Sequence, residues 1–68
     1  MTYGELKRTL RRLGFIPLTH GKNHDYWGTH NASLRTLIPR HRGEVPTGTL
    51  HSILRSLNLT LDDLRKRR

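Results

Sequence analysis

The apolar residues of this chain change their spacing twice, and that double change limits the available folds more than any other feature. Tyr3, Leu6, Leu10 and Leu13 fall at intervals of three and four, with Lys7, Arg8, Arg11 and Arg12 between them, which predicts an amphipathic helix with a basic outer side. Thr2 followed three residues later by Glu5 is a capping-box pattern, and Gly14 is a natural C-terminal stop. From Phe15 the pattern shifts to short stretches rich in aromatic and β-branched residues, predicting strands over residues 15–20, 24–30 and 34–38 with turns at 21–23 and 31–33. Pro17 makes the first of these an edge or irregular strand. After a loop over 39–46, Leu50, Ile53, Leu54 and Leu57 restore the helical period in a second helix that opens at Thr47 or Gly48, with Asn58 as its cap. Thr60, Asp62 and Asp63 resemble the start of a last helical turn, pinned by Leu59, Leu61 and Leu64. The expected fold class is α+β in the order α-β-β-β-α, a three-stranded antiparallel sheet with helices on one face and the other face open.

With 68 residues, the chain is expected to form one domain spanning 1–68, burying only about 60% of its unfolded surface. It has no cysteine, so neither a disulfide nor a thiolate zinc site can staple the thin core. The same absence suits a reducing cytosol. No apolar run approaches the roughly 18 residues of a membrane span, and the N-terminus lacks the apolar stretch of a signal peptide. A soluble, cytoplasmic protein with no membrane partner is the resulting expectation.

Thirteen Lys and Arg against five Asp and Glu give a net charge of +8. The cations cluster as Lys7, Arg8, Arg11 and Arg12, then Arg35, Arg40 and Arg42, then Arg65, Lys66, Arg67 and Arg68. Such an excess favours a polyanionic partner, nucleic acid first, because neutralising phosphates releases counterions. An acidic protein or an anionic membrane could use the same charge, and a solvated surface or tail is the alternative that needs no partner.

Histidine is the side chain best suited to proton transfer near neutral pH, and there are five. No Gly-x-Ser-x-Gly turn surrounds any serine. Of the acids, Glu5, Asp62 and Asp63 already have capping roles. A zinc site of His20, His24 and His30 is conceivable, although its spacing matches no helical His-x-x-x-His pair. His24 follows the basic turn Gly21-Lys22-Asn23 at the start of a strand. Strand alternation puts His24, Tyr26, Gly28 and His30 on one face and Asp25, Trp27 and Thr29 on the other. An imidazole beside an aromatic ring on an open face can reach a ribose while the ring stacks a base; alternatively, one of these faces packs under the helices, making Tyr26 or Trp27 core. If His24 is catalytic, it removes the proton of a ribose 2′-hydroxyl, which attacks the adjacent phosphate, while Lys22 or a nearby Arg stabilises the developing charge.

Over nearly its whole length the chain resembles the HicA toxins, small messenger-RNA interferases with a fold like that of double-stranded-RNA-binding domains. The resemblance rests on Leu10-Arg11-Arg12-Leu13-Gly14-Phe15, on Gly21-Lys22-Asn23-His24-Asp25-Tyr26-Trp27, and on Ile38-Pro39-Arg40-His41. It continues through Glu44-Val45-Pro46-Thr47-Gly48-Thr49-Leu50-His51-Ser52-Ile53-Leu54 and Leu59-Thr60-Leu61-Asp62-Asp63-Leu64. Where the family usually has Gly-Ser-His, this chain has Lys22 and Asn23 between Gly21 and His24. The resemblance implies the toxin of a type II toxin–antitoxin system, a metal-independent endoribonuclease needing no cofactor, with His24 as the catalytic residue. Its partners would be messenger RNA and a HicB-type antitoxin. The candidate RNA contacts are Lys22, Asn23, Tyr26, Arg35, Arg40, His41 and Arg42, of which His41 is either an RNA contact, a participant in the chemistry or a structural donor. A non-catalytic double-stranded-RNA-binding module is the competing expectation, and an adaptor using its basic surface only for protein contacts is a third.

Overall fold

The computed structural model describes residues 1–21 and 24–65; the expectations placed on Lys22, Asn23 and the Lys66 to Arg68 end of the third basic group lie outside the described residues. The elements run α1 (Tyr3–Arg12), β1 (Ile16–His20), β2 (His24–Gly28), β3 (Arg35–Pro39), α2 (Thr47–Ser56) and α3 (Leu61–Arg65). This is the α+β layout expected, with a three-stranded antiparallel sheet in the order β1-β2-β3.

The start of α1 and the ends of both long helices carry the residues that local chemistry favours. Thr2 Oγ1 accepts from the Glu5 amide at 3.1 Å, and Glu5 Oε1 accepts from the Thr2 amide at 2.8 Å, completing a reciprocal cap. At the other end of α1, Gly14 has φ of 102° and the Phe15 amide donates to the Leu10 carbonyl at 2.9 Å, a Schellman turn that an L side chain would strain. Asn58 repeats this after α2, with φ of 59° and the Leu59 amide on the Leu54 carbonyl at 2.8 Å. Thr60 and Asp63 cap α3 reciprocally.

Strand β2 is shorter than the spacing suggested. Thr29 Oγ1 donates to Asn31 Oδ1, which also accepts from the Ser33 amide, and these bonds compete with further pairing. His30 therefore sits in a turn, off the strand face. In β1 the register shifts between Pro17 and Thr19, which fits an edge strand carrying proline.

Tyr3, Leu6 and Leu10 of α1, Trp27 and Ile38 of the sheet, Ile53 and Leu57 of the α2 segment, and Phe15 and Val45 form one core. Two leucines depart from expectation. Leu13 is the C-cap of α1 and is exposed, and Leu61 is exposed while Leu59 and Leu64 pack against the core. No described helix is long and apolar enough to cross a membrane.

Candidate functional site

The alternation along β2 sorts its side chains cleanly. Asp25 and Trp27 point under the helices and are buried, whereas His24 and Tyr26 are exposed on the opposite face. Pairing with β3 sets His24 against Pro39, Tyr26 against Leu37 and Gly28 against Arg35. The open face thus carries an imidazole, a phenol ring, an exposed leucine and a guanidinium in neighbouring positions. Trp27 is core, as one of the two alternatives for it required.

His24 is held at the end of the β1–β2 turn by the backbone. The Gly21 amide donates to the His24 carbonyl at 2.8 Å. A Cβ at residue 21 would come within 2.6 Å of that oxygen, so the close approach that anchors His24 requires glycine there.

Together with the flank of α2, the open face forms a groove of about 770 Å³. His24, Tyr26, Arg35 and Leu37 line one side; Gly48, Thr49, Ser52 and Ser56 line the other. The first turn of α2 follows Pro46 and has no side-chain cap and no acidic residue, leaving its amides and the positive end of the dipole available to an anion. The α2 residues were not among the sequence candidates. The Gly48-Thr49 segment was visible there only as a helix start, and what makes it part of the groove is tertiary packing beside β3.

Arg40 and His41 lie elsewhere. On the helix side of the sheet, Asp25 Oδ1 accepts from Arg40 Nε at 2.9 Å, and Arg40 Nη2 forms an ion pair with the same oxygen at 2.9 Å. His20 Nδ1 is 3.4 Å from the same oxygen, and Lys7 Nζ is 3.8 Å from Oδ2. The Arg40 hydrogen bond, with the charges of Arg40 and Lys7, holds the Asp25 carboxyl below the usual carboxylate range against the opposing effect of desolvation. One carboxylate thereby ties α1, the end of β1, β2 and the residue after β3. The His41 ring packs 5.7 Å from that of Tyr3, tilted by 57°. Arg42 is exposed in the loop and does not line the groove.

Of the candidates, His24, Tyr26 and Arg35 are brought together; Lys22 and Asn23 lie outside the described residues. The three histidines considered for zinc are dispersed, with His20 on the Asp25 cluster, His24 on the open face and His30 in the Thr29 turn. No group of three or more metal-ligating side chains gathers among the described residues. Asp25 was missed as a structural hub, although its position on the Trp27 face was legible: a carboxylate directed into a core needs a cation.

Residues 3–59, from the first residue of α1 to the turn after α2, match the model of a family described as the HicA toxin of bacterial toxin–antitoxin systems. No curated protein matches the chain.

Proposed function

Since the chain belongs to the HicA toxin family of bacterial toxin–antitoxin systems, we propose that it is an endoribonuclease cleaving messenger RNA, with His24 as general base and no need for a metal ion. The observation that carries this reading is the position of His24. It is exposed on the open sheet face, beside Tyr26, at the wall of a groove shared with Arg35 and the first turn of α2.

An RNA strand lying in that groove stacks a base on Tyr26 and sets a ribose against His24. The imidazole takes the 2′-hydroxyl proton, and the 2′-oxygen forms a bond to the adjacent phosphorus. The bond from phosphorus to the 5′-oxygen then breaks. That oxygen takes a proton from solvent, which the open groove admits, and the products are a 2′,3′-cyclic phosphate and a 5′-hydroxyl end. Charge developing on the phosphoryl oxygens is met by Arg35 and the uncapped start of α2. Lys22 and Asn23, between Gly21 and His24, are further proposed contacts. Arg40, His41 and Arg42 lie outside the groove, so any contact they make with RNA is to a stretch of strand beyond it. The nucleophile belongs to the substrate, so a metal is not required and DNA is not cut.

As a family of toxin–antitoxin systems implies, an antitoxin restrains the chain; a HicB-type protein covering the groove would do so, and messenger RNA as substrate puts the action in the cytoplasm. The test is to offer the protein RNA and DNA of one sequence and identify the new ends. RNA alone is expected to be cut, leaving cyclic phosphate. Cut DNA, or a 3′-hydroxyl on the RNA fragments, refutes the mechanism. Bound but intact RNA points to the non-catalytic module, which the same α-β-β-β-α framework would also serve.

A further inference from the structure

Among the described residues, the acids leave the outer arginines of α1 without an ion pair, Glu5 lending Arg8 only a longer-range attraction. Glu5 Oε1 accepts from the Thr2 amide, Asp25 holds Arg40, Lys7 and His20, and Glu44 pairs with the N-terminal amine at 2.8 Å. Asp62 and Asp63 stand in the first turn of α3. Lys7 is thereby drawn away from the basic group that the sequence placed on α1, whereas Arg8, Arg11 and Arg12 stay exposed and make no ion pair among the described residues.

Among the described residues, these three arginines wall a shallow depression of about 430 Å³ on the outer surface of α1. Arg11 is oriented by the core, its guanidinium carbon lying 5.4 Å from the Trp27 ring centroid, a cation–π contact that limits its freedom before any ligand arrives. Arg8 and Arg12 are one turn apart and flank it. Guanidinium forks suit phosphate oxygens. A protein interface of useful strength is built around apolar or aromatic anchors, and the walls of this depression supply none.

We propose that Arg8, Arg11 and Arg12 form a second RNA-backbone site, on the face of the molecule opposite His24, which holds a stretch of the strand outside the groove. The proposal rests on the RNA reading of the groove and adds a length requirement to it. The smallest extent of the molecule is 19 Å. At about 3.4 Å per stacked nucleotide, a strand reaching from one face to the other needs roughly six nucleotides beyond the groove.

The test compares the parent with the Arg8→Gln/Arg12→Gln double variant, leaving Arg11 on its indole. Binding of a 2′-O-methyl RNA, which lacks the nucleophile, is followed by fluorescence anisotropy over a salt series. Losing two phosphate contacts lowers the slope of log affinity against log salt by about 1.4, at roughly 0.7 per contact on a single strand. KM for long RNA rises with kcat unchanged, and a substrate of about five nucleotides, too short to reach α1, is cut equally by both proteins. An Arg8→Lys/Arg12→Lys variant keeps most of the slope, which separates lost charge from lost folding. If the parent binds RNA and the double variant matches it in slope and KM, the second site is refuted while the groove reading stands. If the parent binds no RNA, both fall. A double variant unchanged on RNA but defective in binding an acidic protein assigns the surface to that partner and overturns the proposal.

Discussion

Tyr26 and Trp27 are adjacent in β2, yet replacing each by alanine should have opposite consequences. Trp27 is 4% exposed and belongs to the core, whereas Tyr26 is 43% exposed on the open face. Truncating a buried tryptophan costs about 3–5 kcal/mol. At about 0.05–0.15 kcal/mol per residue, a chain of 68 residues has only about 3–10 kcal/mol in total. Trp27→Ala therefore removes from about a third to all of the stability. Tyr26→Ala removes a cross-strand partner of Leu37, a contact of about 0.2–1 kcal/mol, which lowers Tm by a few degrees at about 4–8 °C per kcal/mol. Its effect on RNA is larger. Loss of one base–aromatic stack costs about 1–3 kcal/mol, a roughly 5- to 150-fold rise in Kd, and Tyr26→Phe retains the affinity. Circular dichroism on heating and anisotropy with a 2′-O-methyl RNA measure the two quantities. A Trp27→Ala protein with a Tm within a few degrees of the parent, or an unfolded Tyr26→Ala protein, would refute the assignment of faces. A folded Tyr26→Ala protein with parental affinity would refute the stacking role.

Asp25 has its pKa lowered by the Arg40 hydrogen bond, so its contribution is fully present above the unfolded-state value of about 3.8 and is lost as pH falls through the lower folded value. Asp25→Asn should be less stable at neutral pH and lose less on acidification, as read by denaturant titrations at several pH values; a parental pH profile contradicts this. Thr2→Ala removes one half of the α1 capping box and should cost about 1 kcal/mol, seen as a Tm lowered by about 4–8 °C with RNA affinity unchanged well below Tm. Arg35→Gln should reduce the salt slope of RNA binding by about 0.7, and an unchanged slope would remove Arg35 from the groove contacts.

The frame of the fold was legible because it rests on short-range chemistry. Thr2 with Glu5, Gly14 after α1 and Asn58 after α2 act within a turn of their own helix, so spacing alone identified them. The true end of β2 was harder, since it depends on the side-chain bonds among Thr29, Asn31 and Ser33, and polar residues in an apparent strand do not announce such a turn. The same limit divides the site. Alternation put His24 and Tyr26 on one face, and the structure agrees. Which face was open depended on where Leu6 and Leu10 of α1 packed, a long-range outcome. Arg40 and His41 follow Pro39 closely in sequence, but one turns toward Asp25 and the other toward Tyr3, both on the helix side. Sequence proximity to β3 therefore overstated their closeness to the groove, and the contribution of α2 to it went unseen.

The role proposed for His24 is that of general base in a metal-independent ribonuclease. It is tested most directly by incubating the purified protein and its His24→Ala variant with a long single-stranded RNA in the presence of chelator. The parent should cleave, and the variant should bind with near-parental affinity while cleaving slower by about 10²- to 10⁴-fold, the usual contribution of a general base. Equal cleavage by both, or RNA bound and intact in both, would contradict the claim.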